Sequence, residues 1–482
     1  MGVAGRSRPN LKVKGLPVRE SVRRGMVRVR RAKRQAHLPS IPFLSNRIGR
    51  SSAAAIEGLS PEAALHARRN FRLGVLNGVM FTLVEAIIAP SIVLAWFINR
   101  LGAPNALVGL LPAILAGGWF LPQILVASRV QGLPLVMHWY RRVGILRVIC
   151  MALLVPSTIL LADQPVLLLF AFFTLYIIYA FGAGVSGIPW LEMVSKVIPP
   201  RRRGTFFGLR SFWGGVAGLL VAGPVAAIMS EQLWGLTFPY NFALLFGMVT
   251  VVVALGVWCW ASIKEPAAPS AHSDMTVGQL LRRGMEAFKT DRDYRSFMVA
   301  RILISLAAVA DPFYVVYAKT NLAAPPATVG LYLGAVAISS LLSNFLWSPL
   351  ADRAGNRTLM SWTVLSVAVV PLTALLLSLF AGVVNDTLLF TSFSAVFVFS
   401  GLALGASRIV NNNMLLTIAP AEERATYIGF LNLILGVVIF VPVLGGVLAD
   451  VVGFRALFFL SLVFAGMALL ATARMSTTRA ER

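Results

Sequence analysis

The chain has 482 residues, of which 57% are hydrophobic and only 13% charged, and its mean hydropathy is +0.78. A soluble globular domain carries roughly a quarter of its residues as charges, so an ordinary water-soluble enzyme is excluded. The formal net charge of +24 would suggest nucleic acid if it covered a soluble surface. Here the basic residues gather in the N-terminal stretch and in short loops, which points to orientation in a bilayer, with no nucleic-acid partner expected.

Residues 1–70 read as a basic cytoplasmic tail, rich in Arg and poor in acids and disordered to about residue 65, which charge alone would draw to anionic lipid. No apolar stretch of signal-peptide length follows residues 1–50. Beyond the tail come apolar runs of about 20 residues, the length that crosses a hydrocarbon layer of roughly 30 Å as helix. They predict helical spans at 72–98, 106–128, 144–162, 166–194, 206–229, 239–262, 297–318, 328–350, 359–380, 387–414, 425–447 and 454–473. The chain then divides into a first six-helix bundle (71–263), a cytoplasmic linker (264–295), a second six-helix bundle (296–474) and a short tail (475–482).

The loops after even-numbered spans are basic, with Arg141, Arg142, Lys196, Arg201, Arg202, Arg203, Arg282, Arg283 and Lys289, whereas Arg100, Lys319 and Arg455 are the basic residues of the odd-numbered loops. Exposed cations resist translocation, so the even side is cytoplasmic. A multi-pass protein of the plasma membrane with both termini inside is expected, and an even number of spans agrees with it.

The second half repeats the first. Val108-Gly109-Leu110 recurs as Val329-Gly330-Leu331, Pro104 as Pro325, Met193 as Met414, Pro199 as Pro420, Arg203 as Arg424, Gly208 as Gly429 and Gly215 as Gly436, each pair 221 positions apart. In span 3 the offset slips to 215, pairing Arg142 with Arg357 and Pro156 with Pro371. Length changes confined to loops suit a duplicated membrane unit.

The linker opens with Glu265-Pro266 and offers Thr276 with Gln279 as a capping-box pair. Val277, Leu280, Leu281, Met285 and Phe288 share one helical face. Such a helix either lies along the membrane surface or packs on the bundle.

Span 8 ends in Ser348-Pro349-Leu350-Ala351-Asp352-Arg353-Ala354-Gly355-Asn356-Arg357. This resembles the Gly-x-Leu-Ala-Asp-Arg-x-Gly-Arg-Arg loop of the major facilitator superfamily. Val441-Pro442-Val443-Leu444-Gly445-Gly446 in span 11 is similar to a Gly-Pro-x-x-Gly-Gly pattern of the same family. In the first half the loop is degraded to Arg129-Val130-Gln131-Gly132-Leu133-Pro134, and span 5 holds a loose Gly-Pro element, Gly218 to Pro224. The resemblance implies an all-α membrane fold of two pseudo-symmetric six-helix bundles. It also implies a central cavity lined by spans 1, 4, 7 and 10, and transport by alternating access. Asp352, Arg353, Gly355 and Arg357 then become gate and loop-motif residues.

Ionisable groups inside a bilayer cost about 2.5–3.5 kcal/mol each on insertion scales and so face cavities or partners. Glu85 lies near the middle of span 1, Asp311 precedes Pro312 in span 7, and Arg408 stands in span 10 just before Asn411, Asn412 and Asn413. Glu85 and Asp311 are candidate proton carriers. Arg408 would neutralise one of them or bind an anionic substrate, and Asn412 completes the candidate cavity. Glu192 and Arg210 are expected to pair at the inner gate, with Gln123 and Asn344 as matched gate hydrogen-bonders or simple interhelical fasteners. No nucleotide-binding loop, metal-ligand spacing or histidine within a span occurs, so neither ATP drive, a metal, a cofactor nor a membrane enzyme is expected. The reading is a proton-coupled, monomeric transporter of a small molecule, with efflux slightly favoured. A non-transporting receptor or assembly factor on the same scaffold is the alternative.

Overall fold

In the computed structural model, residues 2, 61–130, 135–199, 202–231, 235–266, 277–418, 420 and 423–473 are described. The basic tail up to residue 60, the Thr276 capping position and the C-terminal tail lie outside them. The side chains of Gln123, Asn344, Asp352, Arg353, Gly355 and Asn412 also fall outside, although their backbone is helical.

Among the described residues, twelve helices are long and apolar enough to cross a membrane: Ala63–Arg100, Asn105–Pro122, Met137–Leu160, Pro165–Val197, Arg203–Met229, Tyr240–Ala261, Arg292–Asn321, Thr328–Trp347, Arg357–Ser378, Asp386–Arg408, Thr426–Val451 and Phe454–Ala473. They are spans 1 to 12 below. Large apolar side chains point outward all along them, among them Leu160 at 78% exposure, Leu220 at 71% and Phe345 at 74%. Water would penalise that surface, whereas lipid tails match it. No strand occurs among the described residues.

Span 1 begins earlier than its hydropathy suggests. Its helix starts at Pro61, so residues 61–70 are helix and do not belong to a disordered tail. They are fastened to the end of span 6, because Arg69 donates to the Ser262 carbonyl (3.0 Å) and the buried Asn70 to that of Lys264 (3.3 Å).

The duplication is visible in matched fastenings. Arg141 at the start of span 3 donates to the last carbonyl of span 6, Ala261 (2.7 Å), and Arg357 at the start of span 9 donates to that of span 12, Ala473 (2.7 Å). A guanidinium there satisfies an orphan carbonyl at the negative end of the helix dipole. By role the partner of Arg357 is therefore Arg141, one residue from the Arg142 that the 215 offset selects. The predicted loop between spans 8 and 9 is also different, since helical backbone continues through it from Thr328 to Ser378.

The linker helix, Val277–Thr290, packs on the second bundle. Gly284 lies against the Phe430 ring and Ala287 is buried in the same core as Phe297 and Phe430. Leu281 and Met285 remain exposed, so only part of the apolar face is used. Asp291 then caps span 7, accepting from the backbone N–H of Asp293 (2.9 Å) and Tyr294 (3.0 Å) and from the Tyr427 hydroxyl (3.2 Å). The Tyr294 hydroxyl donates to the Tyr427 carbonyl at 2.7 Å. The linker is thus built into spans 7 and 11.

Candidate functional site

Spans 1 and 7 are not continuous helices. Span 1 stops at Ile87, passes through a π turn at Pro90–Leu94 and resumes at Ala95. Span 7 tightens to a 3-10 turn at Ala308–Phe313 between its two α-helical parts. A proline starts one break and sits within the other. Proline removes a donor, and its ring pushes the preceding residue out of helical geometry. Ala89, just before Pro90, indeed has φ −48 and ψ 115, and its carbonyl gathers the N–H groups of Ile92, Val93 and Leu94. The breaks fall at corresponding places of the two halves, and the two irregular turns touch across the bundle interface.

Below the breaks lies a cleft with two lobes. The first, about 610 Å³, is lined by spans 1 to 5 and holds Glu85, Arg147 and Arg210 among aromatic side chains. The second, about 630 Å³, is lined mainly by spans 7 and 11 and holds Arg301, Asp311 and Asn432. Ser91, Pro112 and Phe120 line both. Glu85 lies just before one break and Asp311 within the other, and each side chain is exposed to a lobe. The cations whose fields reach Glu85 are Arg408, from span 10 of the second bundle, and Arg147.

Sequence reasoning passed over Arg147. It lies in span 3, is 7% exposed, and its guanidinium is held between the rings of Phe81 (4.7 Å) and Tyr179 (4.6 Å). Its signal was plain enough: a basic residue inside the apolar run 144–162. Asn77 was missed too. It is buried and donates to the Gly256 carbonyl (2.8 Å) and the Tyr140 hydroxyl (3.3 Å), while its own oxygen accepts from Arg210 (3.1 Å). Arg210 also donates to the Gly74 carbonyl (2.6 Å) and lies over the Trp190 ring (5.0 Å).

The pairing expected between Glu192 and Arg210 does not form. Glu192 bonds Lys196 one turn along (2.9 Å), and Lys196 also reaches Glu265 (3.0 Å). The Glu265 carboxylate, 3% exposed, accepts from the backbone N–H of Val136 and Met137 at the start of span 3. Arg210 is left to the cleft. Arg210 lies two turns further along its span than Arg203, deep enough to miss the helix-end carboxylates.

At the end away from the linker the bundles meet closely. Asn105 donates through its backbone N–H (3.1 Å) and side chain (2.7 Å) to Asp450, and Lys319 donates to the Asn99 oxygen (2.7 Å). Gly109 lies so near the Pro442 carbonyl that a Cβ would collide with it; Gly330 stands in the same relation to Ala226, and Gly446 to the backbone of Asn105. Toward the linker, Trp190, Phe207 and Arg210 stand on the wall of the first lobe.

Twelve spans in two related bundles around a cleft define a membrane protein with the fold of secondary transporters. Residues 296–481 match the family model of the Major Facilitator Superfamily. The solved structure of a D-xylose–proton symporter is similar, at TM-score 0.64 and 16% identity, over 85% of this chain and 98% of that one. A mutant of the nucleoside transporter NupG is similar at TM-score 0.63 and 14% identity, over 84% and 99%. A partially occluded, inward-open form of the xylose transporter XylE from E. coli is similar at TM-score 0.60 and 14% identity, over 86% and 99%. No curated protein matches the chain. The Major Facilitator Superfamily pattern thus covers the second bundle, and the fold of both bundles is that of these solved transporters.

Proposed function

We propose that the protein is a secondary active transporter that carries a small molecule across the plasma membrane by alternating access, coupled to protons and acting as an efflux pump. The observation that carries this is the cleft itself. It is sealed at one end by close backbone contacts and polar bonds between bundles. Its ceiling is made of two proline-broken spans, each presenting a carboxylate at its break. Irregular backbone at membrane depth is tolerated where it lines a cavity, and a broken span in the same place of both halves is how a midplane site is built.

With the basic loops and both termini in the cytoplasm, the sealed end is outward and the shape is inward-facing. Rocking of the bundles that parts the contacts near Gly109 and Gly330 would open the other side. Glu85 and Asp311 carry the proton. Charge inside a bilayer is unfavourable, so a carboxylate that crosses from one exposure to the other does so more readily neutral. The protein works as a monomer in contact with lipid, and the cleft serves passage without catalysis.

The reading is tested by flux in proteoliposomes of the full chain with an imposed proton gradient, screening a small-molecule panel. Gradient-driven movement of a compound, converted by Glu85→Gln to gradient-independent exchange, is the expected result. Flux that ignores the gradient in the native protein removes the coupling, and no flux of any compound leaves a receptor-like role on the same scaffold.

A further inference from the structure

Arg147 is an unusual group to find in a cavity wall. It is more than nine-tenths buried, its Nε has no hydrogen-bond partner, and it makes no ion pair among the described residues. The faces of Phe81 and Tyr179 attend it, the Tyr179 hydroxyl shares a hydrogen bond with it, and Glu85 of the same lobe lies within its field without contact. A desolvated cation with no anion in direct contact is costly, and ring faces and one hydroxyl offset only part of that cost. Beside it in the same lobe the Tyr176 hydroxyl is buried with no hydrogen-bond partner among the described residues. In the second lobe the Nε of Arg301 is likewise sealed and unpartnered.

The charges do not balance. Arg147, Arg210 and Arg301 line the two lobes against Glu85 and Asp311, and Arg408 adds a further positive field. Uptake of a proton by either carboxylate enlarges the excess. A cationic cargo would meet net repulsion here. A neutral cargo would leave the Arg147 donors unmatched.

We propose that the first lobe is a binding site for an amphipathic organic anion. Its carboxylate or phosphate oxygens sit on the Arg147 guanidinium, and its flat apolar body lies along Trp119, Phe120, Tyr176 and Trp190. A planar guanidinium matches both anion types through paired N–H donors. The Tyr176 hydroxyl supplies a third donor to the same oxygens. The aromatic wall supplies apolar contact with a defined stacking geometry, and about 610 Å³ is ample for a two-ring compound.

The proposal rests on the transport reading only for what the site is used for; binding itself is tested separately. Calorimetric titration of the full-length protein uses one ring system in four charge forms: 2-naphthoate, 2-naphthyl phosphate, the neutral 2-naphthamide and the cationic 2-naphthylmethylammonium. Oleate and a lysophosphatidate are added to tell a free aromatic acid from a lipid anion. The expected result is that at least one anion binds ten-fold or more tighter than the amide and the cation. Arg147→Gln loses that preference without changing amide binding, and Arg147→Lys, which keeps charge but not the paired donors, keeps part of it. If Arg147→Gln does not fold, the Lys variant alone decides, since equal anion affinity in it and the native protein overturns the assignment. Amide or cation binding as tight as the anions, or no binding by any anion, overturns it as well. Gradient-driven flux with a preference for cations would sink this site and keep the transporter; anion binding with no flux would do the reverse.

Discussion

Gly109 and Gly330 occupy the same place in the two halves, and each marks a point where one bundle touches the other too closely for a side chain. A Cβ on Gly109 would strike the Pro442 carbonyl, and one on Gly330 would strike Ala226. The Val-Gly-Leu repeat in the sequence is thus a repeat of contact. Span 2 leans on span 11 and span 8 on span 5, with glycine permitting each approach.

Substituting Val at either glycine should wedge that contact open. Overpacking of this kind costs about 1–3 kcal/mol, and it falls on the sealed conformation alone. Spin labels on the two bundles at the Asn105 end should report a shift of population toward larger distances in Gly109→Val and in Gly330→Val. An unchanged distance distribution in both would show that these contacts are incidental packing.

The polar bonds at the same end make a second, separable prediction. Asp450 accepts two hydrogen bonds from Asn105, each worth about 1 kcal/mol net. Asp450→Ala should therefore favour opening in the same direction as the glycine variants but more weakly. In a double-mutant cycle with Asn105→Ala the two changes should be strongly non-additive. Additive effects on the label distances would mean the two residues do not act on each other in the membrane.

How legible was this in the sequence? The spans, their number and the duplication were, because lipid imposes length and polarity on every crossing helix. Glu85 and Asp311 were also picked out, since a charge in an apolar run is conspicuous. Arg147 was lost because it lies only a few residues from Arg141 and Arg142, where a positive charge reads as an interfacial anchor. Its burial depends on Phe81 and Tyr179, which come from spans 1 and 4 and cannot be paired with it from spacing. The misread pairing of Glu192 has the same origin. Lys196 lay one turn away, but the third partner, Glu265, sits beyond two further spans. Pro312 was noted beside Asp311 and Pro90 was passed over within an unbroken 72–98 span, and only the structure shows that the two turns meet.

The Glu265 carboxylate ties three elements: the end of span 6, the start of span 3 and Lys196 near the end of span 4. It is almost wholly buried. Without it Lys196 keeps Glu192 (2.9 Å), so the loss stays below that of a fully stranded buried charge, about 3–5 kcal/mol, but the Val136 and Met137 N–H groups lose their acceptor. Glu265→Ala should therefore lower the thermal midpoint of the purified protein markedly, and Glu265→Gln less, because the amide oxygen still accepts from one backbone N–H. A midpoint within a degree of the native value for the Ala variant would show that the linker end of the first bundle does not depend on this carboxylate.

Pro90 offers the sharpest separation of folding from function. Within a helix a proline costs about 3 kcal/mol relative to Ala, so Pro90→Ala should let span 1 run on as helix past Ala89. The protein should be as stable as the native form or more so, by thermal melting. But a continuous helix rotates everything beyond the break, including Ser91, which lines both lobes. It also frees the Ala89 carbonyl from its cluster of donors. Gradient-driven flux should fall at least ten-fold while the melting point holds or rises. Retained flux in a stable Pro90→Ala protein would mean that the break is a tolerated irregularity and that the site does not need it.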